Sequence, residues 1–435
     1  MTTIHIISWQ LTRKCNLACE YCYTSSLPTL NTSSELSTKE CLSLLKRLKN
    51  TTGISSEAML IITGGEPFLR KDIFKILSKA SENFFVVVGT NGIPLTKNKV
   101  TLLKKLVKGV SVNLDYIYIN SEFGFPELKK AIINKMATVK LLKDQDVPFI
   151  INTTLHKGNI SQLDAIAEFS KTNGAQSLNL FSLVPLGRGH DIYGINNTIY
   201  EHIIDKVLEI KERYKNKLKI ITKCAPYVNA RLFLENPESI RIFEGSGGCP
   251  AGKSYMYISA EGEILPCPYF PLDVSAGNIR KDELEDAITS EIFKRLDQRE
   301  LKGKCGDCEF SYLCSGCRAR AYIINGDYLQ TDPLCNYIPK GGAKVDEKTI
   351  IEKGGIVYAI KEKKGGVEKM TWSEEARLRI EKVPFFVRSF VKNKIELKAI
   401  EMGAEIITPQ LMDIIKKEIS PMHGSKRYGN LKIKK

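Results

Sequence analysis

Through about the first two hundred residues, short apolar runs rich in β-branched residues alternate with longer stretches whose apolar positions recur every three or four residues. The runs are IHIISWQL (4–11), AMLIIT (58–63), FFVVVGT (84–90), GVSVNL (109–114), PFIINTT (148–154) and SLNLFSLV (177–184). Near-continuous hydrophobicity predicts strands covered on both faces, and the amphipathic stretches between them predict helices. One such stretch, STKECLSLLKRLKN, opens with Ser37 and Glu40 three residues apart, the arrangement of a capping box. Six alternating units predict an α/β fold whose parallel sheet curls into a barrel or partial barrel. Loops after the strands would then share one rim, the place where parallel barrels put their chemistry.

From about residue 245 the texture changes. GSGGCPAGKSYMYISAEGEILPCPYF predicts short strands joined by a Glu-Gly turn, and 305–335 is a cysteine-rich region with too few apolar residues to make its own core. Such a segment needs metal to hold it. Residues 341–368, rich in Gly and Lys, read as a linker or irregular hairpin. In the tail, Ala376, Ile380, Val383, Phe386, Val387, Phe390 and Val391 recur at helical spacing; Gly403 reads as a stop and Pro409 as the start of another helix. The expected organisation is 1–220, 221–340, a linker at 341–368, and a small helical domain at 369–425.

At 435 residues, with 43% hydrophobic and 26% charged, the chain has the composition of a globular protein with two or three domains. No apolar run is long enough to span a membrane, and MTTIHIISWQ lacks the pattern of a secretory signal, so a cytoplasmic location is expected. The net charge of +15 is uneven: residues 341–435 hold 21 Lys and Arg against 13 Asp and Glu. Without aromatic residues interleaved among the basic ones, nucleic acid is not the expected partner. An acidic small molecule suits the same charge.

Ten of the twelve cysteines fall into two crowded groups, leaving Cys41 and Cys224 apart. Cys15, Cys19 and Cys22 form CNLACEYC; Cys249, Cys267, Cys305, Cys308, Cys314, Cys317 and Cys335 form the other. Closely spaced thiols in a large chain without an export signal point to metal or catalysis rather than disulfides. Cys41 sits in a helical pattern and reads as a small core residue. Three thiolates in one tight loop can hold three irons of a [4Fe–4S] cubane and leave the fourth open to a ligand.

CNLACEYCY, followed one β/α unit later by Gly64-Gly65-Glu66-Pro67, resembles the radical S-adenosylmethionine (radical SAM) superfamily, whose fold is a partial (β/α)6 TIM-like barrel. The resemblance implies that Cys15, Cys19 and Cys22 ligate a [4Fe–4S] cluster whose open iron binds SAM. Reductive cleavage then gives a 5′-deoxyadenosyl radical. It also implies that Tyr21 lies near the adenine, that Gly64, Gly65 and Glu66 receive the methionyl amino group, and that Asn113 and Asp115 approach the ribose, where Asn113 departs from the usual Ser. Asn152 and Arg188 are further candidates for SAM or substrate contact. The two glycines are expected where backbone approaches a ligand closely.

The second cysteine group resembles the SPASM extension of this superfamily, which carries one or two auxiliary iron–sulfur clusters. Carried over, Cys305, Cys308, Cys314 and Cys335 would bind one cluster, and Cys249, Cys267 and Cys317 the other. The fourth ligand of the latter is open, with Cys224, water or substrate as candidates. A zinc ribbon at CGDC and CSGC is the alternative. FSLVPLGRG resembles enzymes of heme and heme d1 formation. The pattern of Trp372, Ala376, Ile380, Val383 and Arg388 resembles the C-terminal domain of the protochlorophyllide reductase B subunit. These imply a carboxylate-bearing tetrapyrrole substrate, for which Arg188, Arg377, Arg379 and Arg388 are candidate anchors. They also imply a reductant such as ferredoxin or flavodoxin. The alternative substrate is a ribosomally made precursor peptide, although only about eleven residues precede the triad loop, too few for the usual peptide-docking domain.

Overall fold

The computed structural model describes residues 3–118, 126–190, 194–243, 245–358 and 371–383, and most of 388–419. The chain divides into two compact units, 1–360 and 361–435.

The first unit is built on nine strands. Six lie where the apolar runs predict them: β1 (Ile4–Gln10), β2 (Ile54–Thr63), β3 (Phe85–Thr90), β4 (Gly109–Asn113), β5 (Phe149–Leu155) and β6 (Leu178–Ser182). They pair in parallel in sequence order, and β7 (Ile220–Lys223) continues the sheet beyond β6. After β8 (Arg241–Phe243), the strand β9 (Tyr255–Ile258) pairs in parallel with β1, and β10 (Ile264–Leu265) turns back antiparallel on β9. Gly262, at φ +96, makes the expected Glu-Gly turn between them. The sheet is therefore continuous across residue 220, and the cysteine-rich segment supplies one edge of the barrel wall.

Five helices cross over between the parallel strands: α1 (Thr38–Asn50), α2 (Ile73–Ser81), α3 (Lys97–Leu106), α4 (Pro126–Asp144) and α5 (Leu163–Thr172), while α6 (Asn197–Arg213) leads to β7. The capping box at α1 is formed, with the Ser37 side chain on the Glu40 N–H and the Glu40 carboxylate returning to Ser37. One face of each strand packs on the helices: Leu60, Ile62, Val86, Val88, Val110, Val112, Ile151, Leu178 and Leu180 are at most 1% exposed. Burying each such side chain contributes about 1.5–3 kcal/mol. The opposite face lines the open side of the half-barrel. Register aligns Asn113, Asn152 and Asn179 on it, and aligns Phe181 with Lys223.

The described part of 341–368 is more ordered than a linker. A helix forms over Glu347–Glu352, and β11 (Ile356–Tyr358) pairs in parallel with β8. The Asp346 side chain caps that helix, and Ile350 is fully buried beneath it. The abundance of Gly and Lys hides this one anchoring residue.

The second unit holds a two-strand parallel pair, β12 (Thr371–Trp372) and β13 (Ile406–Ile407), with helices at Glu374–Glu381 and Pro409–Ile419. Trp372, Ala376, Ile380, Ile395, Ala399, Ile407, Met412 and Ile415 form its core. The helix beginning at Pro409 is as predicted; Phe386, Val387, Phe390 and Gly403 lie outside the described residues.

Candidate active site

The loop after β1 carries the cysteine triad, and its neighbours hold it by backbone. Cys15 N donates to Leu27 O at 3.2 Å, closing the loop on itself, and Cys22 N donates to Cys19 O at 3.2 Å. The loop after β2 docks beneath: Gly65 N reaches Thr12 O at 2.6 Å and Glu66 N reaches Lys14 O at 2.9 Å. A Cβ on Gly64 would stand 2.7 Å from Thr12 O, and one on Gly65 2.4 Å from Lys14 O. The close approach seen here that requires these glycines is to the triad loop itself.

Glu66 is fully buried, and its carboxylate accepts from the Thr90 hydroxyl (2.8 and 2.9 Å), Asn91 N (2.8 Å) and Phe68 N (3.2 Å). Burial pushes its pKa up to about 7, against these donors. The Glu66 side chain therefore braces the β2 and β3 loops. Asn91 extends the brace: its Nδ2 donates to Asn16 Oδ1 at 2.8 Å and lies 3.8 Å from Cys15 Sγ.

Asp115 is 2% exposed and also spoken for. Its carboxylate accepts from Tyr21 Oη at 2.6 Å and Thr154 N at 2.7 Å, with the buried Lys135 ammonium 3.9 Å away. It fixes the Tyr21 ring. Tyr21 stacks on His156 with centroids 5.2 Å apart. Gly158 N donates to His156 Nδ1 at 3.2 Å, which leaves the proton on Nε2, facing Tyr116 Oη at 3.2 Å. Burial lowers the His156 pKa, so the ring is neutral. Asn113, in contrast, is exposed on the open face; Asn152 there accepts from Asn179 Nδ2 at 3.0 Å.

Arg188, in the loop after β6, clamps the triad loop. Its Nε donates to Cys19 O and its Nη2 to Ser26 O, both at 2.9 Å, while Nη1 is buried with no partner. Gly187 packs on the same loop, its φ +59 and a Cβ position 2.6 Å from Cys22 O allowing no side chain. The tail arginines are engaged within their own unit: Arg379 pairs with Asp413, and Arg388 Nε donates to Val383 O at 3.0 Å.

The triad fits a [4Fe–4S] cluster by its donors. The three thiols share one loop and Cys15 feels both of the others electrostatically, Leu17 N donates to Cys15 Sγ at 3.4 Å, and the unpartnered Arg188 Nη1 leaves a donor for an anionic group. Desolvation raises the Cys15 thiol to about 11 and shifts Cys19 upward as well.

The second cysteine group separates into two sites. Cys305, Cys308, Cys314 and Cys335 line one pocket, walled by Tyr227, Phe310 and Tyr337. Asp332 N and Arg318 Nη2 approach Cys305 Sγ at 3.4 and 3.5 Å, and Gly316 N approaches Cys314 Sγ at 3.4 Å. Cys249, Cys267 and Cys317 meet elsewhere, packed with Tyr257 and Phe270. Between the two sites lies a buried ion pair, Arg320 with Asp332 at 2.7 Å, whose carboxylate also accepts from Cys317 N. Among the described residues no three Cys, His, Asp or Glu side chains close on a point where a single ion could sit. Sequence reasoning missed Lys135, Arg320 and Asp332, since isolated charges in helical or loop patterns give no sign of burial.

Family models match in three places: the radical SAM superfamily over residues 9–170, the iron–sulfur cluster-binding SPASM domain over 249–309, and the proto-chlorophyllide reductase 57 kD subunit over 372–416. The AdoMet-dependent heme synthase of Methanosarcina barkeri is 36% identical over 349 residues, covering 77% of this chain and 97% of that protein. The protein of the same description from Nitratidesulfovibrio vulgaris is 30% identical over 356 residues, covering 78% and 94%. Among solved structures, Streptococcus suis SuiB bound to S-adenosylmethionine superposes with a TM-score of 0.60 at 18% identity, covering 77% of this chain and 78% of that one, a likeness of fold.

Proposed function

The chain belongs to the radical SAM superfamily and carries the SPASM extension, and from that premise we propose that it removes a carboxyl-bearing side-chain fragment from an iron tetrapyrrole. The observation that carries this reading is the 36% identity extending over 97% of a heme synthase.

When bound, a [4Fe–4S] cluster with SAM on its open iron supplies a 5′-deoxyadenosyl radical that takes a hydrogen atom from substrate. The protein's part is to hold and shield. Cys15, Cys19 and Cys22 would hold the cluster, with Arg188 and the Gly64–Glu66 loop fixing their positions. Tyr21, locked by Asp115 and His156, offers a ring edge for the adenine. The open face, with Asn113, Asn152 and Lys223, offers polar groups to a carboxylate substrate; desolvation lowers the Lys223 pKa.

The chemistry balances as follows. Removing a hydrogen atom from the carbon next to the one bearing a carboxylate lets the C–C bond break, CO2 leave and a C=C bond form. One electron remains and must be accepted. A donor of ferredoxin or flavodoxin type would start each turnover, and an acidic carrier suits a chain of charge +15.

The test pairs Cys19→Ala with titration by an iron porphyrin bearing four propionates. Cys19→Ala should abolish SAM cleavage while the auxiliary iron stays and the Soret shift on binding persists. Wild-type protein that gives no saturable Soret change, yet cleaves SAM, would move the reading to a peptide substrate.

A further inference from the structure

Cys224 follows β7, well before the SPASM motif, and by sequence it is an isolated thiol. In the fold it is not isolated. It packs in one apolar cluster with Cys249, Cys267 and Cys317. We infer that Cys224 is the fourth ligand of the auxiliary cluster held by Cys249, Cys267 and Cys317, so that this cluster has no open iron.

The backbone is built to put the thiol there. Cys224 takes φ +57, a left-handed conformation that is unfavourable for a non-glycine residue. It is held by Arg320, fully buried, whose Nη1 donates to Cys224 O at 3.2 Å. The same guanidinium pairs with Asp332, and Asp332 Oδ2 accepts from Cys317 N at 2.7 Å. One buried ion pair therefore ties together the main chain of the two cysteines that approach from opposite sides.

The other cysteines are fixed in place by their own loops. The Ser315 hydroxyl accepts from Cys249 N at 2.8 Å and fixes its loop. Four sulfurs on this site match the four irons of one cubane. A closed cluster cannot ligate substrate, so its role is restricted to passing the electron left over in the reaction.

The inference rests on the reading that Cys249, Cys267 and Cys317 hold a cluster, and the experiment separates the two. Iron, sulfide and Mössbauer spectra are recorded on a Cys15→Ala/Cys19→Ala/Cys22→Ala background, which isolates the auxiliary sites. About eight irons per chain are expected, four for each cubane, with spectra unchanged by added cyanide. Adding Cys224→Ser should create one labile iron: a three-iron signal after mild oxidation and a cyanide-sensitive spectrum. Retention of about eight irons with cyanide-insensitive spectra in that variant would overturn the assignment. About four irons before Cys224 is changed would instead remove the underlying cluster. Iodoacetamide labelling of the unmutated, iron-loaded protein reads the same point without a substitution. Cys224 should be protected until chelation releases it together with Cys249 and Cys267; full alkylation in the loaded protein contradicts the inference.

Discussion

Gly65→Ala adds a single methyl group to the loop after β2, and the structure gives it no room. Its Cβ would lie 2.4 Å from Lys14 O, 2.7 Å from Lys14 C and 2.8 Å from Arg13 O. All three are backbone atoms, so no rotamer change relieves the overlap. Ordinary contacts of this kind begin at about 3.5 Å, so the β2 loop and the triad loop must part by about 1 Å. Parting them breaks or stretches the hydrogen bonds from Gly65 N and Glu66 N to Thr12 O and Lys14 O. At about 1 kcal/mol for each bond and about 1–3 kcal/mol for the overpacking, the substitution costs about 3–5 kcal/mol. The activity loss should be larger than the stability loss implies, since a 1 Å misplacement of a reacting group costs about 100-fold. The assay is 5′-deoxyadenosine formation under anaerobic reduction, with the unfolding midpoint measured alongside. Gly174→Ala is the control: it also has positive φ (+80), but its Cβ meets nothing within 4 Å, so it should cost about 1 kcal/mol and leave SAM cleavage intact. Wild-type cleavage by Gly65→Ala would refute the reasoning that this backbone contact sets the triad loop.

Other outcomes follow from the buried charges. Glu66 titrates at about 7 in the fold against about 4.3 unfolded. Its proton therefore adds stability below the unfolded value, and that increment is lost as pH rises through about 7. The unfolding midpoint of wild type relative to Glu66→Gln should fall between about pH 5 and pH 8; a flat difference contradicts the buried, raised carboxyl. Asp332→Asn leaves the Arg320 cation buried without its partner and should cost about 3–5 kcal/mol, seen in chemical denaturation, with auxiliary iron lost before triad iron. Arg188→Met removes the clamp on Cys19 and Ser26 and should lower triad iron occupancy several-fold while auxiliary iron, measured on the same sample, is unchanged.

How much of this was legible in the sequence depended on whether neighbouring residues shared a pattern. β1 to β6 were readable because each is a run of five or more residues rich in apolar and β-branched side chains, set between amphipathic helices. The four residues of β7 were not, and β9 gave no sign that it would pair with β1 at the far edge. The cysteine spacing announced both iron–sulfur regions, and the glycines after β2 announced a close approach. What they approach was hidden, because a backbone carbonyl of the triad loop leaves no mark in sequence. Arg188 and Asp115 stood out as polar residues on the rim, but nothing in the pattern showed that they hold Cys19, Ser26 and Tyr21. Lys135, Arg320 and Asp332 look like ordinary surface charges until the fold buries them. Cys224 lacks the spacing that would tie it to the other thiols; only three-dimensional packing brings it to Cys317.

The central claim is radical removal of a carboxyl-bearing fragment from an iron tetrapyrrole. It is tested most directly by anaerobic turnover of reconstituted protein with SAM, a strong reductant and an iron porphyrin bearing four propionates, followed by mass spectrometry. The account predicts 5′-deoxyadenosine in step with a tetrapyrrole product lighter by a carboxyl-bearing fragment, and neither product from Cys19→Ala. SAM cleavage that leaves the mass of every supplied tetrapyrrole unchanged would contradict it.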